Sequence, residues 1–190
     1  MRVDIIAGDD VLRRFGNQIG SLGEGDAHKA LARAVNRVTN TVHGRVIRAV
    51  AKQSSIPTAI VRRTIKKRLA SPKAFHGGSI EGVVYATGSP LPLKVFQPKQ
   101  FAFGVRVRVF GKMQRYPGWF IHAGRWSSGK FVANGHVFAR LTKDSLPIEM
   151  KFGPSIPEEL VRGESEQVYR RTVDEMLIKR VAHELNRLLP

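Results

Sequence analysis

Apolar positions in the first third of the chain recur at helical spacing, and further on the spacing shortens to that of strands. Val11, Leu12, Phe15, Ile19 and Leu22 sit three to four residues apart after Asp9 and Asp10, either of which suits the cap of a short first helix. The turn Gly23-Glu24-Gly25 follows, and Asp26 opens a much longer periodic segment. Ala27, Leu31, Ala34, Val35, Val38, Val42, Val46 and Val50 fall on one face, with Lys29, Arg33, Arg37, Arg45, Arg48 and Lys52 mostly on the others. This pattern predicts a helix over 26–53, about 42 Å long at about 1.5 Å per residue. Gly44, Thr39 and Thr41 are the weak points at which it would bend. Ile56-Pro57 breaks the run, and Pro57 suits the start of a further helix. That helix is expected over 59–69, with Ile60, Val61, Ile65 and Leu69 turned to the core.

From about residue 79 the period changes from about 3.6 to about 2. Segments 80–85 and 91–96 read as strands around the turn Gly88-Ser89-Pro90. Phe101, Phe103, Val105, Val107 and Val109 alternate with Ala102, Gly104, Arg106 and Arg108, which puts two arginines on the wet face of a half-buried sheet. Segments 119–121, 136–139 and 147–150 are further strand candidates, with Asn134-Gly135 a tight-turn signal. Helical spacing returns with Ser155-Ile156-Pro157-Glu158, which has the form of a capping box with proline in the first turn. Val173, Met176, Leu177, Val181, Leu185 and Leu188 then make an apolar stripe. Helices and strands are segregated, so the expected fold is one α+β domain over 1–190. Residues 1–70 are helical, 79–152 form a central antiparallel sheet of four or five strands, and 155–190 form a long C-terminal helix.

Charge changes this picture. The chain has 190 residues and a formal net charge of +17, and the excess is not spread evenly. Residues 27–143 hold 22 bases and one acid, Glu81, whereas 1–26 and 144–190 are each slightly acidic. A block so one-sided attracts polyanions or an acidic protein surface, since surfaces serving only solubility mix both signs. Arg62, Arg63, Lys66, Lys67 and Arg68 are its densest cluster, placed by the helical reading on neighbouring turns. Their partner is either phosphate or carboxylate, and a solvated face is the plain alternative. Arg106 and Arg108 join them as contact residues. Few aromatics interleave with the cluster at 62–68, which argues against base stacking there.

Chemistry is hard to find. Gly124-Arg125-Trp126-Ser127-Ser128-Gly129-Lys130 follows the spacing of a phosphate-binding loop, but Phe131 stands where a Mg²⁺-binding hydroxyl is needed, and no good helix start follows. The six histidines form no metal-ligand spacing, although His122 and His136 are placed to meet across a hairpin. No nucleophile elbow or catalytic carboxylate pair is visible. No catalytic residue, cofactor or metal is therefore expected. Cysteine is absent, no stretch approaches the roughly 18 apolar residues of a membrane span, and the N-terminus lacks a signal-peptide core. These features suit a soluble intracellular chain.

Several stretches together resemble the minor tail protein Z family of long-tailed phages. Ala34-Val35-Asn36-Arg37-Val38 is similar to that family's Ala-rich helix, and Val61-Arg62-Arg63 to its basic helix. Leu91-Pro92-Leu93, Pro117-Gly118-Trp119-Phe120-Ile121, Asn134-Gly135-His136-Val137-Phe138-Ala139-Arg140, Leu146-Pro147-Ile148 and Gly153-Pro154-Ser155-Ile156-Pro157 follow in the family's order. The long loop 124–133 and the lack of a dense arginine run after 101–110 depart from it. The resemblance implies a structural protein of the phage or prophage tail, made in the bacterial cytoplasm and acting at the head-proximal end. There it would join heads to tails and place the DNA end. It implies other tail or neck proteins as partners, with double-stranded DNA contact and a ring assembly as further expectations, and neither cofactor nor membrane. The rival reading is a free-standing, non-specific double-stranded DNA-binding protein.

Overall fold

The structure, a computed structural model, describes residues 24–71, 80–122, 131 and 133–188. The expected helix at 11–22 and the loop at 124–130 lie outside them. Helix α1, Glu24–Ser54, is the axis of the fold. Of its expected apolar stripe Ala27, Leu31, Ala34, Val38, Val42, Val46 and Val50 are buried, and Val35 is half-buried. The helix runs unbroken past Gly44. Thr39 and Thr41 remain in it by donating back to the carbonyls of Val35 and Arg37, at 2.8 and 3.1 Å.

The expected second helix is corrected by the structure. Helix α2, Thr58–Thr64, stops at Ile65, and strand β1, Ile65–Arg68, begins there. The physical cause lies on α1. Asn36 donates to Ala70 O at 3.0 Å and accepts from Ala70 N at 2.7 Å. His43 Nε2 lies 3.1 Å from Ile65 O. These contacts, together with pairing of β1 to β2 (Val83–Ala86) in antiparallel register, satisfy the backbone of 65–70 in extended form. Val61 and Ile65 are buried as expected, but Leu69 is left exposed.

The single sheet of four or five strands is also corrected. The described residues hold a two-stranded β1–β2, a three-stranded β3 (Lys99–Phe101), β4 (Gly104–Val109) and β5 (Lys112–Pro117), and a two-stranded β6 (Phe138–Arg140) and β7 (Ile148–Met150). Segment 91–96 is not a strand, because Leu93–Phe96 forms a 3-10 turn ended by Gln97 at φ +52. Leading into the turn, Leu91 and Leu93 still bond to the backbone of 151–154, with Leu93 N donating to Lys151 O at 3.2 Å and Leu91 O accepting from Gly153 N at 2.7 Å, but the turn ends this pairing at once. Isolated bridges from Pro92 to Phe152 and from Phe120 to Phe138 are what remains of a wider sheet. Asn134 and Gly135 do take up the left-handed turn expected of them, at φ +60 and +81.

The C-terminal part is two helices. Helix α3, Ile156–Leu160, has Ser155 at its N-cap and Pro157 in its first turn, but Ser155 makes no capping bond through its side chain. The capping box is not formed, since Glu158 turns to Arg162 instead, at 3.8 Å. After Gly163, at φ +67, helix α4 runs Glu164–Asn186 and buries Leu177, Val181 and Leu185. It lies antiparallel along α1, as the pairs Lys52–Glu164 (2.9 Å), Arg45–Glu175 (3.6 Å) and Arg33–Glu184 (2.9 Å) show. Gln53 ties the end of α1 to the start of α4. Its amide nitrogen donates to Glu159 O (2.8 Å) and Glu159 Oε2 (2.9 Å), and its oxygen accepts from Ser165 N (3.1 Å). That amide is the polar partner that buried Glu159 needs. Between α1, α4 and β2 lies a cavity of about 30 Å³, lined by Val38, Gly82 and Tyr169 among others. Burial, then the charge of Asp174, push the Tyr169 hydroxyl up to about 12 against a smaller opposing effect of Arg170.

Candidate polyanion-binding surface

The densest basic cluster does not share one helical face. Arg62 and Arg63 are exposed at the end of α2, whereas Lys66, Lys67 and Arg68 lie on β1. Arg68 pairs with Glu81 at 2.9 Å, the one acid of the basic block. Lys67 donates to Asn40 Oδ1 of α1. Lys66 stands opposite Tyr85 across the ribbon. Two of the five cations are thus engaged inside the fold, and among the described residues Arg62, Arg63 and Lys66 have no acid paired to them.

The β3-β4-β5 meander makes a stronger concentration. Val105, Val107 and Val109 face inward and are buried, so Arg106 and Arg108 point to the other face, as the alternation predicts. The register then adds residues that the sequence did not reveal. Lys99 stands directly opposite Arg106, and Arg106 directly opposite Arg115. Three cations therefore lie in one row across three strands, on the same face. Like charges placed so are destabilising, yet among the described residues no acid pairs with Lys99, Arg106, Arg108 or Arg115.

Phe101 and Phe103 are the second surprise. The alternation assigns them to the buried face with the valines. Instead the chain turns at Ala102 and Phe103, so Phe101 pairs opposite Gly104 and shares the outer face with the arginines. Gly104 is at φ +140, and a Cβ there would sit 2.3 Å from Tyr116 O, so only glycine fits this turn. The two rings stack at 5.5 Å between centroids. The Arg106 guanidinium lies 4.5 Å over Phe101, and that of Arg115 lies 5.7 Å over Phe103. Such contacts are worth about 0.5–1 kcal/mol at exposed sites. The meander is fixed to the core at its hairpin end, where Gly111 N donates to Ser55 Oγ at 2.7 Å and Phe110 N to Ser54 O at 3.3 Å.

A groove of about 320 Å³ between α1 and α4 is lined by Arg45, Arg48, Lys52 and Arg171 with Glu164. Arg45 and Lys52 are already paired there with Glu175 and Glu164, so it carries less free charge. Among the described residues no three His, Asp or Glu side chains come together in a metal-sized group. His122 bridges to Phe131, and their rings lie 4.3 Å apart, so the residue across from His122 is not His136. Among the described residues His136 Nδ1 is buried and has no hydrogen-bond partner. No described helix is long and apolar enough to cross a membrane.

Compared with known proteins, the chain is similar to the tail completion protein of Escherichia phage N15. The two are 28% identical over 142 residues, covering 70% of this chain and 70% of the phage protein. No known family's sequence model matches the chain. No solved structure matches it either.

Proposed function

We propose that this chain is a structural tail-completion protein of a phage or prophage, of the minor tail protein Z kind, acting by binding and not by catalysis. The observation that carries the reading is the likeness to the phage N15 tail completion protein over most of both chains. The ordered motifs from Ala34 to Pro157 support it independently. In this reading the protein works in the virion tail, assembled in the host cytoplasm, at the head-proximal end. It contacts tail or neck subunits, assembles there as a ring, joins heads to tails and holds the DNA end. The unpaired cations of the meander support a second reading, a free-standing DNA-binding protein.

One genetic experiment divides the two. A nonsense mutation in the gene, in the phage or induced prophage that carries it, is expected to leave filled heads and finished tails unable to form infectious particles. Electron microscopy of the lysate with a plaque count reads the result. Normal particles at normal titre from the mutant would overturn the tail-completion reading.

A further inference from the structure

The geometry points to the outer face of the β3-β4-β5 meander as a binding site for the phosphate backbone of double-stranded DNA. Lys99, Arg106, Arg108 and Arg115 make the site. The choice of DNA as the polyanion rests on the tail-completion reading, and the site itself rests on three observations. First, four cations share one face without an acid paired to any of them among the described residues. The row Lys99–Arg106–Arg115 costs stability in the free protein and is relieved by negative charge brought against it. Duplex DNA provides that, with about one charge per 1.7 Å of its axis.

Second, two of the guanidiniums lie over Phe101 and Phe103. Stacking on a ring leaves the N–H edges of a guanidinium available to phosphate oxygens and limits its motion before binding. Third, the rings stack on one another at 5.5 Å and each carries an arginine. They are employed in holding cations, which disfavours single-strand recognition by base stacking. Among the described residues no helix lies on this face, so binding is expected to ignore base sequence.

The test uses the purified full chain and fluorescence anisotropy with two labelled duplexes of unrelated sequence and a single-stranded oligonucleotide, across a salt series. The wild type is expected to bind both duplexes alike, with affinity falling steeply as salt rises. A quadruple variant, Lys99→Gln, Arg106→Gln, Arg108→Gln and Arg115→Gln, should flatten the slope of log K against log[salt] by up to about 3.6, at about 0.9 for each phosphate contact. The double variant Arg108→Gln/Arg115→Gln, flattened by up to about 1.8, serves if the quadruple chain does not fold. Arg62→Gln/Arg63→Gln/Lys66→Gln should change the slope less than the quadruple variant does. An unchanged slope in both meander variants, with their thermal melts intact, would overturn the proposal. So would tighter binding of the single strand that is lost on Phe103→Leu, since that would make the rings a base platform. Absence of duplex binding by a wild-type chain that still completes tails would assign the face to an acidic protein partner, and would leave the tail role standing.

Discussion

Ending the chain after Arg171 is expected to leave no folded protein. The lost segment carries Leu177, Val181 and Leu185, all buried against the stripe of α1. Burial of each is worth about 1.5–3 kcal/mol. Their removal also bares Val38 and Val42, which line one cavity with Leu177. A domain whose whole stability is about 5–15 kcal/mol does not survive that loss. The ion pairs Arg33–Glu184 and Arg45–Glu175 would go too, and the second, exposed on both sides, matters little beside the apolar contacts. The soluble fraction after expression and the far-ultraviolet circular dichroism of any soluble product read the outcome. A truncated chain with a cooperative thermal transition would contradict the packing described. The single change Leu185→Ala gives a graded version, expected to cost about 2–5 kcal/mol.

Asn36→Ala is expected to destabilise the chain by about 2–4 kcal/mol, although the residue is polar and only half-buried. Its amide makes both backbone bonds of buried Ala70, one as donor and one as acceptor. Each such bond contributes about 0.5–1.5 kcal/mol net, and a buried group left without a partner costs about 1–3 kcal/mol. Asn36→Asp separates the two roles. The carboxylate still accepts from Ala70 N but faces Ala70 O without a proton to donate, so this variant should also be weakened despite its near-identical shape. Equilibrium urea unfolding of the three chains measures the effect. Losses of less than about 0.5 kcal/mol, the range of ordinary surface changes, would show that the clamp does not hold the extended segment in place.

That clamp explains where the sequence was hard to read. Helix α1 is legible because its apolar stripe repeats over many turns, and 26–53 is realised as Glu24–Ser54. Segment 59–69 is not, because Ile60, Val61, Ile65 and Leu69 satisfy a helical period while the deciding interactions come from elsewhere. Asn36 and His43 act on it from more than twenty residues upstream, and β2 pairs with it from downstream. No window of local pattern contains those partners.

The candidate site divides in the same way. Arg106 and Arg108 are legible as a wet face, since alternation with Val105, Val107 and Val109 is a local property. Lys99 and Arg115 become neighbours of Arg106 only through strand register, which hydrophobic spacing does not set across a turn. Phe101 and Phe103 fall with the core in the sequence pattern because the alternation runs unbroken through 101–109. Gly104 itself is the local signal that the strand breaks there, since a residue with a Cβ fits neither its φ of +140 nor its approach to Tyr116 O.

The most direct test of the tail-completion account is add-back of the purified chain. A lysate from phage lacking the gene, holding heads and tails but few infectious particles, is mixed with increasing amounts of the wild-type protein. The account predicts that infectious titre rises with added protein until it saturates, and that particles joined at the head-proximal end of the tail appear under the microscope. Titre that stays flat at saturating amounts of folded protein, with heads and tails both present, would contradict it.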